Sequence, residues 1–122
     1  MKETDLKPEG IFHYFHEICQ VPRPSKHEEQ IVAYMKAFGE KHHFETKVDK
    51  AGNVVIKKPA TPGKENLKTV VLQGHMDMVC EKNSNIQHDF MKDPIQTEVD
   101  GDWLRAKGTT LGADDGIGLA AG

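Results

Sequence analysis

The 122-residue chain lacks the features that would indicate export, a membrane span or a nucleic-acid partner. It has only two cysteines, so at most one disulfide could form, and it has no run of about 20 apolar residues. No charged-then-apolar leader opens it. Sixteen Lys and Arg against nineteen Asp and Glu, spread without blocks, leave no basic stripe. We therefore expect a cytoplasmic protein with neither nucleic acid nor membrane as partner.

Both cysteines and five of the seven histidines are expected to be structural. Cys19 lies on an apolar helical face and Cys80 follows an apolar run, a placement typical of buried, inert thiols. His13 and His16 share a helix face, but no third ligand is in register with them. The same interpretation applies to His27, His42 and His43.

Apolar residues at three-to-four-residue spacing predict two amphipathic helices, one ending near residue 20 and one over 26–41. Ser25 and Glu28 have the spacing of a capping box for the second helix. Two hairpins are predicted, the first from 44–48 and 54–56, the second from strands flanking Asp100 and Gly101.

Residues 69–72 form a short apolar run of the kind buried on both faces of a sheet. The expected fold is therefore α/β, a mixed sheet flanked by helices, with residues 1–122 in one domain. The pattern of a last helix begins near Ile117 and stops at Gly122 without an end signal, so we expect a fragment with an unpaired sheet edge.

Two acidic motifs stand out against this background. His75 and Asp77 follow the apolar run and, being two residues apart, point to the same side of an extended segment. Asp114 and Asp115 lie in a Gly-rich turn that enters the last helix. Each motif alone has an ordinary interpretation, a chance pair or a helix N-cap. Their combination suits a divalent cation such as zinc.

These residues resemble the M20 family of metallopeptidases, and within it the Xaa-His dipeptidase branch. The similarity extends from Leu6 to Gly122. Gly116 stands where most members of the family have Lys, a departure typical of this branch. The matching stretches are 18–25, 27–30, 52–54, 70–79, 92–95 and 108–118.

The resemblance implies a role for three of these four residues. His75 would be a ligand to one of two zinc ions, Asp77 the catalytic carboxylate that orients it, and Asp114 the carboxylate that bridges both ions. The resemblance also implies a cis peptide bond between Asp114 and Asp115, a conformation that persists only where metal or packing enforces it.

The implied activity is hydrolysis of dipeptides, including those with carboxy-terminal histidine, by an intact homodimeric enzyme. The general base, one of a Glu-Glu pair, is expected beyond Gly122, as are a further Asp, a distant His and a lid domain. Residues 1–122 would then be the amino-terminal part of a catalytic domain, inactive alone. Two alternatives remain: a non-catalytic protein of this fold that binds metal or peptide, and a structural domain whose acidic turn is only a helix cap.

Overall fold

The computed structural model describes all 122 residues. The chain forms three α-helices and four strands, which confirms the α/β class. After a short 3-10 helix at Glu3–Asp5, the elements are α1 (Glu9–Cys19), α2 (Glu29–Lys41), β1 (Glu45–Val48), β2 (Val54–Lys57), β3 (Thr97–Asp100), β4 (Trp103–Ala106) and α3 (Ala113–Ala121).

The strands form two separate antiparallel hairpins, both where the sequence predicts them. In the first, Thr46 lies opposite Ile56, and in the second, Val99 lies opposite Leu104. Gly101 adopts a φ of 60° in the tight turn between β3 and β4, a conformation that glycine reaches without steric cost.

The core lies where α1 packs against α3, and it includes Met78, the residue that follows Asp77. The hairpin of β1 and β2 packs against α2, where Gly39 leaves room for the Thr46 side chain. None of the helices is long and apolar enough to cross a bilayer. The buried apolar residues are Phe15, Ile18, Cys19, Ile31, Met78, Ile95 and Ala120.

The predicted strand over 69–72 is wrong. Val71 is 81% exposed, its two neighbours are nearly as open, and the segment pairs with no other strand. A strand that is buried on both faces needs partners along its edges and layers above and below. All four paired strands are used in the hairpins, so the mixed sheet is replaced by two antiparallel ones.

The predicted capping box at the start of α2 is also wrong. The Ser25 hydroxyl donates to Asp77 Oδ2 and lies 3.3 Å from the carbonyl oxygen of Met78, so it caps no helix. Glu28 instead accepts a hydrogen bond from the backbone N–H of Lys26. A carboxylate acceptor makes a stronger hydrogen bond than a neutral one, which explains why Ser25 faces Asp77.

Candidate metal centre

His75 and Asp77 face each other at the end of an extended segment. His75 Nδ1 lies 3.0 Å from Asp77 Oδ1 and 3.1 Å from the carbonyl oxygen of the same residue. The other carboxylate oxygen, Oδ2, accepts a 2.5 Å hydrogen bond from Ser25 Oγ. Asp77 is therefore held from both sides and fixes the orientation of the imidazole.

The second acidic motif reaches the same imidazole from the start of α3. Gly112 has a φ of 77°, and the non-helical backbone at Asp114 and Asp115 interrupts the helix. The peptide bond between these two aspartates is cis, as the resemblance implies. This path brings Asp114 Oδ1 to 2.9 Å from His75 Nε2. Residues distant in sequence thus converge on one side chain, and Asp114 remains 96% exposed.

Asp115 is directed away from His75. Its carboxylate lies against Gly74 and against α3 at Gly118, and a Cβ on Gly74 would lie 2.5 Å from Asp115 Oδ2. Both glycines are therefore needed for this close approach. No side-chain hydrogen bond caps α3 at its N-cap, so the helix-cap interpretation of the acidic turn has no such bond to support it.

The two carboxylates act on His75 through its two ring nitrogens. The hydrogen bond to Asp114 is the largest influence and raises the pKa of His75, with Asp77 adding to it and burial opposing it. The hydrogen bond from Ser25 lowers the pKa of Asp77, burial opposes this, and His75 lowers it further. The imidazole is thus flanked by negative charge on both sides, an environment that favours a cation.

Sequence reasoning missed Arg23, which is only 2% exposed although it carries a guanidinium group. Its Nη1 donates to the carbonyl oxygens of Met76 and Asp77 at 3.1 and 3.4 Å, and its Nη2 donates to that of Gly112 at 2.6 Å. Burial is the main influence and lowers the pKa of Arg23, while nearby acidic groups oppose the shift. A single Arg between two prolines has no periodic signature, so only its hydrogen bonds in the structure show that it lies at the candidate centre.

The donor atoms suit a divalent cation of the zinc type. Imidazole nitrogen and carboxylate oxygen are ordinary zinc ligands, and the 2.9 Å between them is close to the about 3.3 Å edge of a tetrahedral zinc site. Asp77 on the far ring nitrogen is the usual partner of a zinc-bound histidine. No group of three or more His, Cys, Asp or Glu side chains is placed to hold a metal ion together, so the chain supplies two direct donors, His75 Nε2 and Asp114 Oδ1.

No family model matches the chain, but individual known proteins do. The cytosol non-specific dipeptidase of Escherichia coli (strain K12) is 50% identical over 118 residues, which are 97% of this chain and 24% of that protein. The crystal structure of aminoacylhistidine dipeptidase from Vibrio alginolyticus superposes with a TM-score of 0.95 at 51% identity, over 99% of this chain.

The resemblance to dipeptidases is confirmed. The chain spans about a quarter of the length of these relatives, 24% of one and 25% of the other. Over that quarter its fold is the fold of a dipeptidase, with both hairpins and the acidic turn included in the matched region.

Proposed function

We propose that this chain is part of a metal-dependent dipeptidase and that residues 1–122 belong to its catalytic domain. The observation that carries the proposal is the 2.9 Å approach of His75 Nε2 to Asp114 Oδ1 across a long stretch of sequence. The names of the two relatives supply the reaction class, since both are dipeptidases.

In this proposal His75 and Asp114 would hold a zinc ion together, and the second oxygen of Asp114 would be available to another ion. Asp114 is open enough for this because its side chain is 96% exposed. Bound zinc ions would lower the pKa of a water molecule and polarise the scissile carbonyl. The remaining ligands come from outside this chain, which offers only two direct donors.

Asp77 has the task of fixing the imidazole. By accepting a hydrogen bond from Nδ1–H of His75 it leaves the lone pair of Nε2 for a metal, and it raises the basicity of that nitrogen. Ser25 prevents the Asp77 carboxylate from rotating away by donating to its second oxygen. Asp77 is the catalytic carboxylate of the proposal.

The proposed substrates are small dipeptides, including those with carboxy-terminal histidine, and the proposed intact enzyme is a cytoplasmic homodimer. A relative named as an aminoacylhistidine dipeptidase supports this choice of substrate, and a relative named as cytosolic supports the location. We assign the general base to no residue of this chain, so residues 1–122 are expected to be inactive alone.

A hydrolysis assay of the full-length protein with a Xaa-His dipeptide and added zinc tests the proposal. The His75→Ala variant should lose at least about 100-fold in kcat/KM, as expected for loss of a metal ligand. The matched control is His13→Ala, an exposed histidine on α1 that should keep full activity. Equal rates for wild type and His75→Ala would remove His75 from the mechanism. Zinc binding without hydrolysis would indicate the non-catalytic alternative.

A further inference from the structure

The loop that follows α1 runs alongside the segment that carries Asp77. Pro24 and Met78 form an isolated parallel bridge, in which the N–H of Met78 donates to the carbonyl oxygen of Arg23 at 3.0 Å. The N–H of Ser25 donates back to the carbonyl oxygen of Met78 at 3.3 Å. The backbone around Asp77 is therefore fixed to this loop and not to a neighbouring strand.

The side chain of Arg23 also joins the two halves of the candidate centre. The first half is the segment with His75 and Asp77, and the second is the acidic turn with Asp114. One nitrogen of the guanidinium, Nη1, binds the carbonyl oxygens of Met76 and Asp77 in the first half. The other, Nη2, binds that of Gly112 in the second half. Gly112 precedes Asp114 by two residues. The planar guanidinium therefore connects the same two segments that the contact between His75 and Asp114 connects on the exposed side.

Two glycines leave the space that this guanidinium occupies. A Cβ on Gly112 would lie 2.5 Å from Arg23 Nη2, and a Cβ on Gly116 would lie 2.6 Å from the same atom. Real Cβ contacts are longer than this, so any side chain at either position would displace the guanidinium. The acidic turn and the start of α3 are thus shaped around Arg23.

We propose that Arg23 is the positioning residue that sets the separation between His75 and Asp114, an inference that rests on the proposed function. Another link between the two halves is more distant: the Thr110 hydroxyl donates to the carbonyl oxygen of Val79 at 2.7 Å, beyond Asp77 along the chain. Arg23 contacts the carbonyl groups next to His75 itself and acts on the metal ligands only through the backbone that carries them.

The geometry requires a guanidinium and not merely a positive charge. Its nitrogen atoms lie in one rigid plane and reach two segments at once, whereas a lysine ammonium is a single point on a flexible stem. Arg23→Lys should therefore keep the charge and lose the fixed spacing. Arg23→Met removes both at similar length.

The experiment uses the full-length protein and two readouts besides activity. One is the zinc dissociation constant, measured by competition with a chromophoric chelator. The other is the NMR signal of His75 Nε2 in chelator-treated protein with ring-15N histidine, which reports whether that nitrogen still donates to Asp114. The variants are Arg23→Met, Arg23→Lys and Gly116→Ala, which displaces the guanidinium without removing it.

Two controls separate positioning from general stability. Arg105→Met removes the other arginine of the chain, an exposed side chain paired with Glu98 and Asp100. Ile31→Val makes a small cavity at a fully buried core position on α2 and lowers thermal stability without contacting the candidate centre. Both controls should bind zinc as the wild type does.

The proposal expects zinc binding to weaken at least about tenfold in Arg23→Met and Arg23→Lys, the effect seen for residues that orient metal ligands. The Nε2 signal of His75 should shift in both variants towards that of an exposed histidine. Gly116→Ala should change both readouts in the same direction. If Arg23→Met does not fold, Gly116→Ala and Arg23→Lys together test the proposal.

Wild-type behaviour in Arg23→Lys, or an equal loss of zinc affinity in Ile31→Val, would overturn the proposal. A wild-type protein that binds no zinc would instead contradict the proposed function. In that case the His75 signal alone would still decide whether Arg23 sets the spacing.

Discussion

The imidazole of His75 has a carboxylate at each nitrogen, and both neighbours favour its protonated form in the absence of metal. Because the bond to Asp114 is the largest cause of the raised pKa of His75, Asp114→Asn should lower that pKa towards the ordinary 6.5. An NMR titration of the His75 Cε1–H signal in chelator-treated protein measures this change. An unchanged pKa would show that Asp114 does not reach the ring.

The same interaction gives a pH-dependent contribution to stability whose sign can be stated. A pKa raised in the folded state stabilises the fold at pH values below 6.5, and this contribution is lost as the pH rises through the folded value. The difference in urea midpoint between wild type and Asp114→Asn should therefore be larger at about pH 5.5 than at about pH 8.5. The opposite order would contradict the assignment of a raised pKa.

The two thiols should differ in reactivity. Burial raises the pKa of Cys19 to about 12, with Glu3 adding to the shift, and burial also raises the pKa of Cys80, which is only partly covered. Since the thiolate is the nucleophile, iodoacetamide at about pH 8 should modify Cys80 first and Cys19 only after unfolding. Peptide mass spectrometry distinguishes the two sites. Equal labelling of both in the native protein would show that α1 is not packed as described.

At the scale of elements, Phe15 is the buried aromatic side chain through which α1 packs against α3. Phe15 is fully buried and faces α3 near Gly116. Phe15→Ala should lower the free energy of unfolding by about 3–5 kcal/mol, the usual cost of truncating a buried aromatic residue. The control is Phe12→Ala on the same helix, where the side chain is only half-buried and the loss should stay below about 2 kcal/mol. Urea unfolding measures both values, and similar losses would contradict the packing.

Local signals were enough to predict the helices and hairpins. The 3.6-residue periodicity located α1 and α2, and the Asp100–Gly101 signal located the hairpin of β3 and β4, because these elements form from contacts close in sequence. The register lies one residue further along, since Asp100 pairs with Trp103 and the two loop residues are Gly101 and Asp102. The prediction of a strand over 69–72 is wrong because a strand requires neighbouring strands to pair with, and composition does not reveal them. The prediction of Ser25 as a helix cap is wrong because its hydroxyl donates to Asp77, a residue too far along the chain for a local pattern to indicate.

The candidate centre was partly predictable for the same reason. The spacing of His75 and Asp77 placed them on one side of a segment, and the observed 3.0 Å contact agrees. The combination of the two acidic motifs suggested a shared cation, and the family resemblance gave Asp114 its role as a ligand. Arg23 lies in the matching stretch 18–25 but received no role, since its partners are backbone carbonyls that any sequence possesses.

On the scale of the whole molecule, the open apolar segment should govern the solution behaviour of the 122-residue chain. Residues 70–72 expose three adjacent large apolar side chains and an unpaired backbone, which invites pairing between copies. Size-exclusion chromatography with light scattering should show self-association that increases with concentration. Val71→Lys should reduce it, whereas Thr61→Lys, in an exposed loop, should not. A monomeric wild type, or an equal effect of both charges, would contradict this expectation.

The central claim is that His75 and Asp114 bind one zinc ion together, and a competitive zinc titration of the full-length protein tests it most directly. The account predicts a site tighter than about 1 mM in the wild type and in His13→Ala, and a loss of affinity of at least about 100-fold in both His75→Ala and Asp114→Ala. Wild-type affinity in either of the last two variants, or no site tighter than about 1 mM in the wild type, would contradict it.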